Sequence, residues 1–483
     1  MNRARFPNLR SQPRKIVKVL VSALFVLAVA GAPRTALAHA HLVRSAPAAG
    51  SSVANSPDQL HLWFSEAVSP AMTRITVVSP SGERVATGAV VISDSNPLLV
   101  TSTIGATFSP GRYRVEWATV AEDDGHPSRG SFEFTVLNSA ISSAGATAPG
   151  QVPAVRQSPR EISARSMDLE GPLYILARAL NFAAIVTLLG VVALRVLIIP
   201  AVVRGDASRQ SAAFAPVAAR AGAKLGLLAG LGALLASLGR LRGEFSVVGL
   251  DASVWSLLQT TWGHVWIAQV ILAVVACAAF ALAAVMDGPI LRAGAWILAA
   301  TAAVLMAATP ALSGHAAGES HYRTFSLALD TVHVLAAGGW LGGLLAIALA
   351  GVPAAMIVSS DSELGGGLPL IARIVNAFSP TALVFAACVV VTGSIAAWLR
   401  IGSVTLLLAS AYGEALLIKL ALVAIVFAGG AYNWLRMRRA LTRYESETAA
   451  VITFRRTAWA ELVTGMLVII ATAVLVALPP PTG

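Results

Sequence analysis

Between Leu60 and Leu137 apolar and polar residues come in short, partly alternating runs. "LHLWF" (Leu60 to Phe64), "RITVVS" (Arg74 to Ser79), "VVIS" (Val90 to Ser93), "LLVTSTI" (Leu98 to Ile104), "RYRVEWATV" (Arg112 to Val120) and "SFEFTVL" (Ser131 to Leu137) read as strands. Clusters such as "SPSGE" and "SPG" break the chain between them. Six or seven strands in about 100 residues predict a small all-β sandwich or barrel. Residues 138–170 are rich in Ser, Ala, Gly and Pro, lack any period, and read as a flexible linker.

From Gly171 onward the short runs give way to long apolar ones. Eight of these, near 173–200, 218–239, 264–286, 291–312, 329–352, 370–398, 413–435 and 457–479, reach the roughly 20 residues that a helix needs to cross a bilayer. Only "DGP" separates the third from the fourth, so a tight hairpin is expected there. At the other end, a basic stretch from Arg3 to Lys18, the apolar run "VLVSALFVLAVAGA" and Ala36-Leu37-Ala38 form the pattern of a secretory signal peptide. Cleavage would make His39 the first residue; cleavage after Ala40, leaving His41 first, and an uncleaved anchor are the alternatives. The expected order is signal peptide 1–38, sandwich 39–137, linker 138–170, and an all-α polytopic bundle of eight transmembrane helices over 171–483.

Composition sharpens this reading. With 56% hydrophobic and 12% charged residues the chain is a membrane protein with a polar front. The net charge of +11 divides into +7 for residues 1–38, −3 for 39–170 and +7 for 171–483, so no basic front exists for nucleic acid. Cys277 and Cys388 both lie in apolar runs, which excludes a disulfide or thiolate metal site in the exported part. No GxxxxGK[ST] loop, D-K-T-G motif or intramembrane C-P-C occurs, so nucleotide-driven pumping has no apparatus.

With the front exported, thirteen basic residues of the bundle fall on the cytoplasmic side, among them Arg195, Arg204, Arg209, Arg436, Arg438 and Arg439. Five, Arg178, Arg240, Arg242, Arg323 and Arg400, fall outside. The positive-inside rule then places the sandwich and the C-terminus on the extracytoplasmic face of the cytoplasmic membrane. On this topology all eight histidines, His39, His41, His61, His126, His264, His315, His321 and His333, face outward. Imidazole is the commonest side-chain ligand of copper, zinc and nickel, so an outward-facing metal function is expected.

Within "EDDGHPSRGSFEF", Asp124 and His126 are separated by one Gly, and at an extended strand end their side chains can point the same way. A His39 that begins the mature chain adds an amine and an imidazole, giving three nitrogens and one oxygen, a set that suits tetragonal Cu(II). The competing reading is a D-G hairpin turn that His126 merely caps. In the bundle, Asp330 and His333 are three apart and share a helix face, where the Asp can orient the ring. Gly338, Gly339, Gly342 and Gly343 form two overlapping G-x-x-x-G pairs that permit close helix contact. Lys419, Glu414 and Glu461 are ionisable residues in apolar surroundings, functional candidates or packing and anchoring groups.

The run H-A-H-L-V-x-S-x-P, followed by "LWFSE" and "DDGHPSRGSFEFTV", resembles the periplasmic copper-binding protein CopC over residues 39 to about 137. The resemblance implies a cupredoxin-like, Ig-like sandwich binding Cu(II) through His39, Asp124 and His126, with Glu66 behind them. Some relatives carry a Met-rich Cu(I) site, for which this chain offers only Met72. "TWGHVW", "LSGHAA", "DTVHVLAAGGWLGGL", "FSPTALV", "TGSIAAW", "YGEALLIKLAL" and "RRTAWAELVTGMLVI" resemble CopD, the membrane partner of CopC, and the whole resembles a CopC–CopD fusion. The first helix departs from that pattern, with Asn181 where many relatives have histidine.

The expectation is a copper transport protein, not an enzyme. The sandwich captures Cu(II) and passes it to outer-face residues of the bundle: His315 and His333 with Asp330, then His264 and His321. Copper in the bundle would be Cu(I) or Cu(II). The partners are the copper ion, the lipid bilayer and, as a candidate, a periplasmic copper carrier, with no nucleic acid and no nucleotide. Sequestration or relay at the outer face without translocation is the alternative reading. A copper oxygenase is a third, disfavoured because Asp124 would fill the position that oxygen needs.

Overall fold

A computed structural model describes residues 40, 42–93, 95–121, 127–137, 172–205, 208–248, 254–313, 322–359, 368–442 and 447–478. The expected signal peptide and linker lie outside them. The front part holds β1 (Leu42–Ala46), β2 (Ser52–Val53), β3 (Gln59–Phe64), β4 (Arg74–Val78), β5 (Arg84–Val85), β6 (Thr87–Ser93), β7 (Asn96–Ile104), β8 (Gly111–Val120) and β9 (Pro127–Val136). They form a sandwich of two sheets, ordered β1-β3-β7-β6 and β2-β9-β8-β4-β5.

Alternation fixes which face is inside. On β3, Leu60, Leu62 and Phe64 are buried, while His61 and Trp63 face out. On β8, Tyr113, Val115 and Trp117 point into the core, opposite Phe134, Phe132 and Gly130 of β9. The sheets meet at Phe64 and Trp117, edge to face with centroids 5.2 Å apart, and at the stack of Phe108 on Tyr113. Two of the strands that the sequence did not reveal, β2 and β5, are only two residues long. The third, β1, has one fully buried position, so no alternation shows. β9 starts earlier than its apolar pattern does, because Pro127 already pairs with Val120 at the strand's first position, where proline costs no ladder bond.

Gly130 makes room for the Trp117 ring on the neighbouring strand of the same sheet: a Cβ there would stand 2.6 Å from Trp117 Cζ2. Gly130→Val is expected to lower stability by about 1–3 kcal/mol, the usual cost of overpacking. A lower denaturation midpoint, followed by tryptophan fluorescence, would show it.

Among the described residues of the bundle, eight helices are long and apolar enough to span a membrane: α1 (Pro172–Gly205), α2 (Arg209–Gly243), α3 (Thr261–Val285), α4 (Pro289–Leu312), α5 (Arg323–Ser359), α6 (Leu370–Ile401), α7 (Ala411–Tyr432) and α8 (Ala458–Ala477). The α3–α4 hairpin turns at Met286–Gly288, where Asp287 receives Arg220 at 2.7 Å and Arg292 at 3.6 Å. α1 and α5 are the most enclosed helices and α7 the least. Glycines set the α1–α5 contact: a Cβ on Gly190 would collide with the Gly342 backbone, and one on Gly342 with the Val186 carbonyl oxygen. Gly339 and Gly343 on the same helix accommodate the rings of Phe385 and Phe378 of α6. The G-x-x-x-G reading of α5 is thus realised as backbone-to-backbone packing, with Gly190 its partner on α1.

The sandwich rests on one end of this bundle. Met72 and Val120 pack with Leu257 of the short helix Val254–Leu258 and Trp262 of α3, flanked by Leu241 and Trp266. β8 and β9 also touch α2. This end is called the sandwich side below.

Candidate functional site

His39, Asp124 and His126, with His41, His315 and His321, lie outside the described residues. The chain around the first three is nonetheless fixed. Ala40 is fully buried in the sandwich core, and Leu42 pairs with Phe64, two residues before the half-buried Glu66. Val68 bridges Ala121, and the Ser69 N–H donates to the Val120 carbonyl at 2.9 Å. Val120 and Pro127, which flank the 122–126 connection, pair directly. The segment following His39, the Glu66 loop and the residues on both sides of the 122–126 connection therefore converge at one end of the sandwich. His61 is elsewhere, on the outer face of its sheet, with Nδ1 3.1 Å from the Thr101 hydroxyl.

The convergent end is also the docked end. Met72, the lone thioether considered for a Cu(I) site, is 3% exposed and embedded among apolar side chains at the contact with Leu257 and Trp262. Its surroundings account for it as a packing residue.

In the bundle the clearest arrangement surrounds His333 on α5. Its Nδ1 lies 2.8 Å from the Thr392 hydroxyl of α6, and that hydroxyl is 2.6 Å from the Cys388 carbonyl. A hydroxyl has one proton to give. With that proton directed at the carbonyl, Thr392 accepts from His333, Nδ1 carries the ring hydrogen, and Nε2 keeps the free lone pair. Gly393 makes room for the ring: a Cβ there would be 3.2 Å from His333 Cε1. Asp330, expected to orient His333, instead forms an ion pair with Arg400 of α6. The guanidinium on the neighbouring helix, which spacing along α5 does not reveal, claims the carboxylate. Asp330 and Arg400 line a shallow depression together with Ser326, Leu329, Ala396 and Leu399. Lys419 of α7, half-buried, interacts electrostatically with Asp330, Arg400 and His333.

Beyond His333, away from the sandwich side, the space among α5, α6, α7 and α8 is apolar, centred on Trp340 against Phe427 with ring centroids 4.6 Å apart. Further along, Glu461 of α8 is 8% exposed and packs beside Gly429 and Gly430 of α7. Among the described residues no three His, Cys, Asp or Glu side chains are grouped to hold a metal. His264, in the first turn of α3, is exposed, and lies two residues from the buried Trp262, on the opposite side of the helix.

A second polar group was not read from the sequence. Gln269 of α3 is fully buried; its Nε2 donates to Asn181 of α1 at 2.6 Å and to Ser237 of α2 at 3.2 Å. Its Oε1 accepts from Arg240 of α2 at 3.0 Å and meets the Thr309 hydroxyl of α4 at 3.1 Å. All four bonding positions of the amide are used, and four helices are tied together. Arg240, counted from sequence among the basic residues of the outer side, is 7% exposed, and it reaches Ser313 at 3.3 Å and the face of Trp262 at 5.8 Å. Asn181, the departure from the expected histidine, is a hydrogen-bond acceptor in this knot. The signal was a glutamine and an arginine placed in apolar helices at positions that only the fold brings together.

Comparison with known proteins follows the same division. The CopC domain family matches residues 42–137, the copper resistance protein D-like N-terminal domain family 167–324, and the copper resistance protein D family 372–475. Copper transport protein CutJ of Bacillus subtilis (strain 168) is 25% identical over 450 residues, 93% of this chain and 76% of its own. Protein YobA of Escherichia coli (strain K12) is 29% identical over 114 residues, which are 24% of this chain and 91% of YobA. The crystal structure of CopC from Methylosinus trichosporium OB3b aligns at 30% identity over 21% of this chain and 95% of that one, with a TM-score of 0.20.

Proposed function

Because the chain belongs to the copper-resistance family, with a CopC domain and a CopD membrane domain in one polypeptide, we propose that it imports copper across the cytoplasmic membrane. The sandwich, outside the cell, takes Cu(II) through the His39 amine and ring, Asp124 and His126, with Glu66 steadying the site. The ion then passes to the bundle, where His333 is the leading acceptor, with His315, His321 and His264 as further candidates and Asp330 nearby. The two domain families are copper-resistance families and CutJ is a copper transport protein by name, so copper is the cargo and no catalytic step is invoked.

The observation that carries the acceptor role is the bond between His333 Nδ1 and Thr392: with the Thr392 proton directed at the Cys388 carbonyl, the ring hydrogen sits on Nδ1 and the lone pair on Nε2. A metal-binding histidine is ordinarily held in this way, by a partner on its other nitrogen. Thr392 plays the orienting role expected of Asp330.

Two observations favour the second reading, relay at the outer face without translocation. Asp330, Arg400 and Lys419 place two cations and one carboxylate around His333, and the apolar packing of Trp340 on Phe427 offers no ligand for a dehydrated ion. Cellular copper decides between them. Import requires that cells expressing the chain accumulate internal copper, that His333→Ala reduces the rise at least about tenfold, and that Thr392→Val, which keeps the shape, produces an intermediate loss within the 10–100-fold range of orienting partners. Copper held at the surface with no internal rise would establish relay and end the import reading.

A further inference from the structure

Resting on the capture reading above, we infer that the contact of Met72 and Val120 with Leu257 and Trp262 is a docking interface that holds the metal-bearing end of the sandwich against the bundle, so that copper moves between the two within one molecule.

Three observations meet at this contact. The segments flanking all three proposed ligands emerge at the end of the sandwich that is docked, since Val120 both packs in the interface and pairs with Pro127 across the 122–126 connection. The four central side chains are between 1% and 3% exposed, so the contact excludes water. The platform beneath is rigid: Trp262 stacks with Trp266 at 6.4 Å, Trp266 Nε1 donates to the Ser237 carbonyl at 2.9 Å, and Arg240 lies over Trp262. Of these groups, Ser237 and Arg240 belong to the Gln269 knot that ties α1, α2, α3 and α4 together. A polar knot of this kind needs no metal to explain it; it fixes the surface on which the sandwich stands. Through Ser313, bonded to Arg240, the knot also borders the start of the α4–α5 connection, in whose sequence His315 and His321 occur. His264, on the side of α3 opposite Trp262, is not part of this contact.

The test uses the full chain in lipid nanodiscs. A short bismaleimide should link Met72→Cys to Leu257→Cys and should not link Val91→Cys, on an exposed face of the other sheet, to Leu257→Cys. Equal linking of both pairs, or none of the first, overturns the docked geometry whether or not the protein binds copper. Function is read by loading the sandwich with Cu(II) and following its transfer into the bundle. Met72→Glu should leave the Cu(II) spectrum of the sandwich unchanged and slow transfer at least about tenfold, since loss of positioning is costly to any transfer step. Met72→Leu, which preserves the apolar contact but removes the thioether, should transfer as the wild type does. Undiminished transfer by Met72→Glu would overturn the inference, and loss with Met72→Leu would make Met72 a ligand instead. Absence of Cu(II) from the wild-type sandwich would refute the capture reading and, with it, the transfer role of the interface.

Discussion

Gly342→Leu will leave almost no folded protein in the membrane, and Gly190→Leu will do the same. At this crossing α1 and α5 touch through their backbones: a Cβ on Gly342 would collide with the Val186 carbonyl oxygen, and one on Gly190 with the Gly342 carbonyl carbon. A side chain that meets another side chain can rotate away; one that meets a backbone must force the helices apart. α1 and α5 are the most enclosed helices of the bundle, so separating them disturbs the packing of Ile185, Leu188, Leu189, Leu344 and Ile347 as well. The cost is expected above the usual 1–3 kcal/mol of overpacking. Gly205→Ala, at a glycine with open space around it, should express normally. Yield of monodisperse protein after extraction in mild detergent would reveal the difference.

The second large effect concerns the sandwich. His126→Ala should weaken Cu(II) binding by at least about 100-fold, because loss of a mere orienting partner already costs 10–100-fold and His126 is proposed as a ligand. Glu66→Gln should cost less, in keeping with a place behind the ligands. Both variants should keep their fold, which is built on the core of Leu60, Leu62, Phe64, Val115, Trp117 and Phe134. Competition against a chelator of known affinity would measure both losses, and equal affinities for wild type and His126→Ala would leave the D-G turn as the whole explanation of that motif.

The fold was readable where a single period governs a segment. Alternation placed β3, β4 and β8 because each buries every second residue against one core, and continuous apolar length placed all eight helices because a bilayer asks for little else. Strands of two residues, such as β2 and β5, exist only through their neighbours and leave no period. Site chemistry was legible along one helix and invisible between helices. The proximity of Asp330 and His333 follows from spacing, but Arg400 as the partner of Asp330 and Thr392 as the partner of His333 come from α6, seventy and fifty-nine residues away. The same holds for Gln269, whose four partners stand on α1, α2 and α4. Met72, the single methionine the sandwich offered for a Cu(I) site, is buried against Leu257 and Trp262 as a contact between domains, a role that its residue type alone did not reveal.

The central claim is that copper enters this protein at its own amino terminus. Electron paramagnetic resonance of the full chain, loaded with one equivalent of Cu(II) and beginning at His39, tests it beside a chain extended by one alanine before His39. The account predicts a tetragonal spectrum with three nitrogens and one oxygen in the first and its loss in the second, because the extension converts the chelating amine into an amide. The same spectrum from both chains would contradict it.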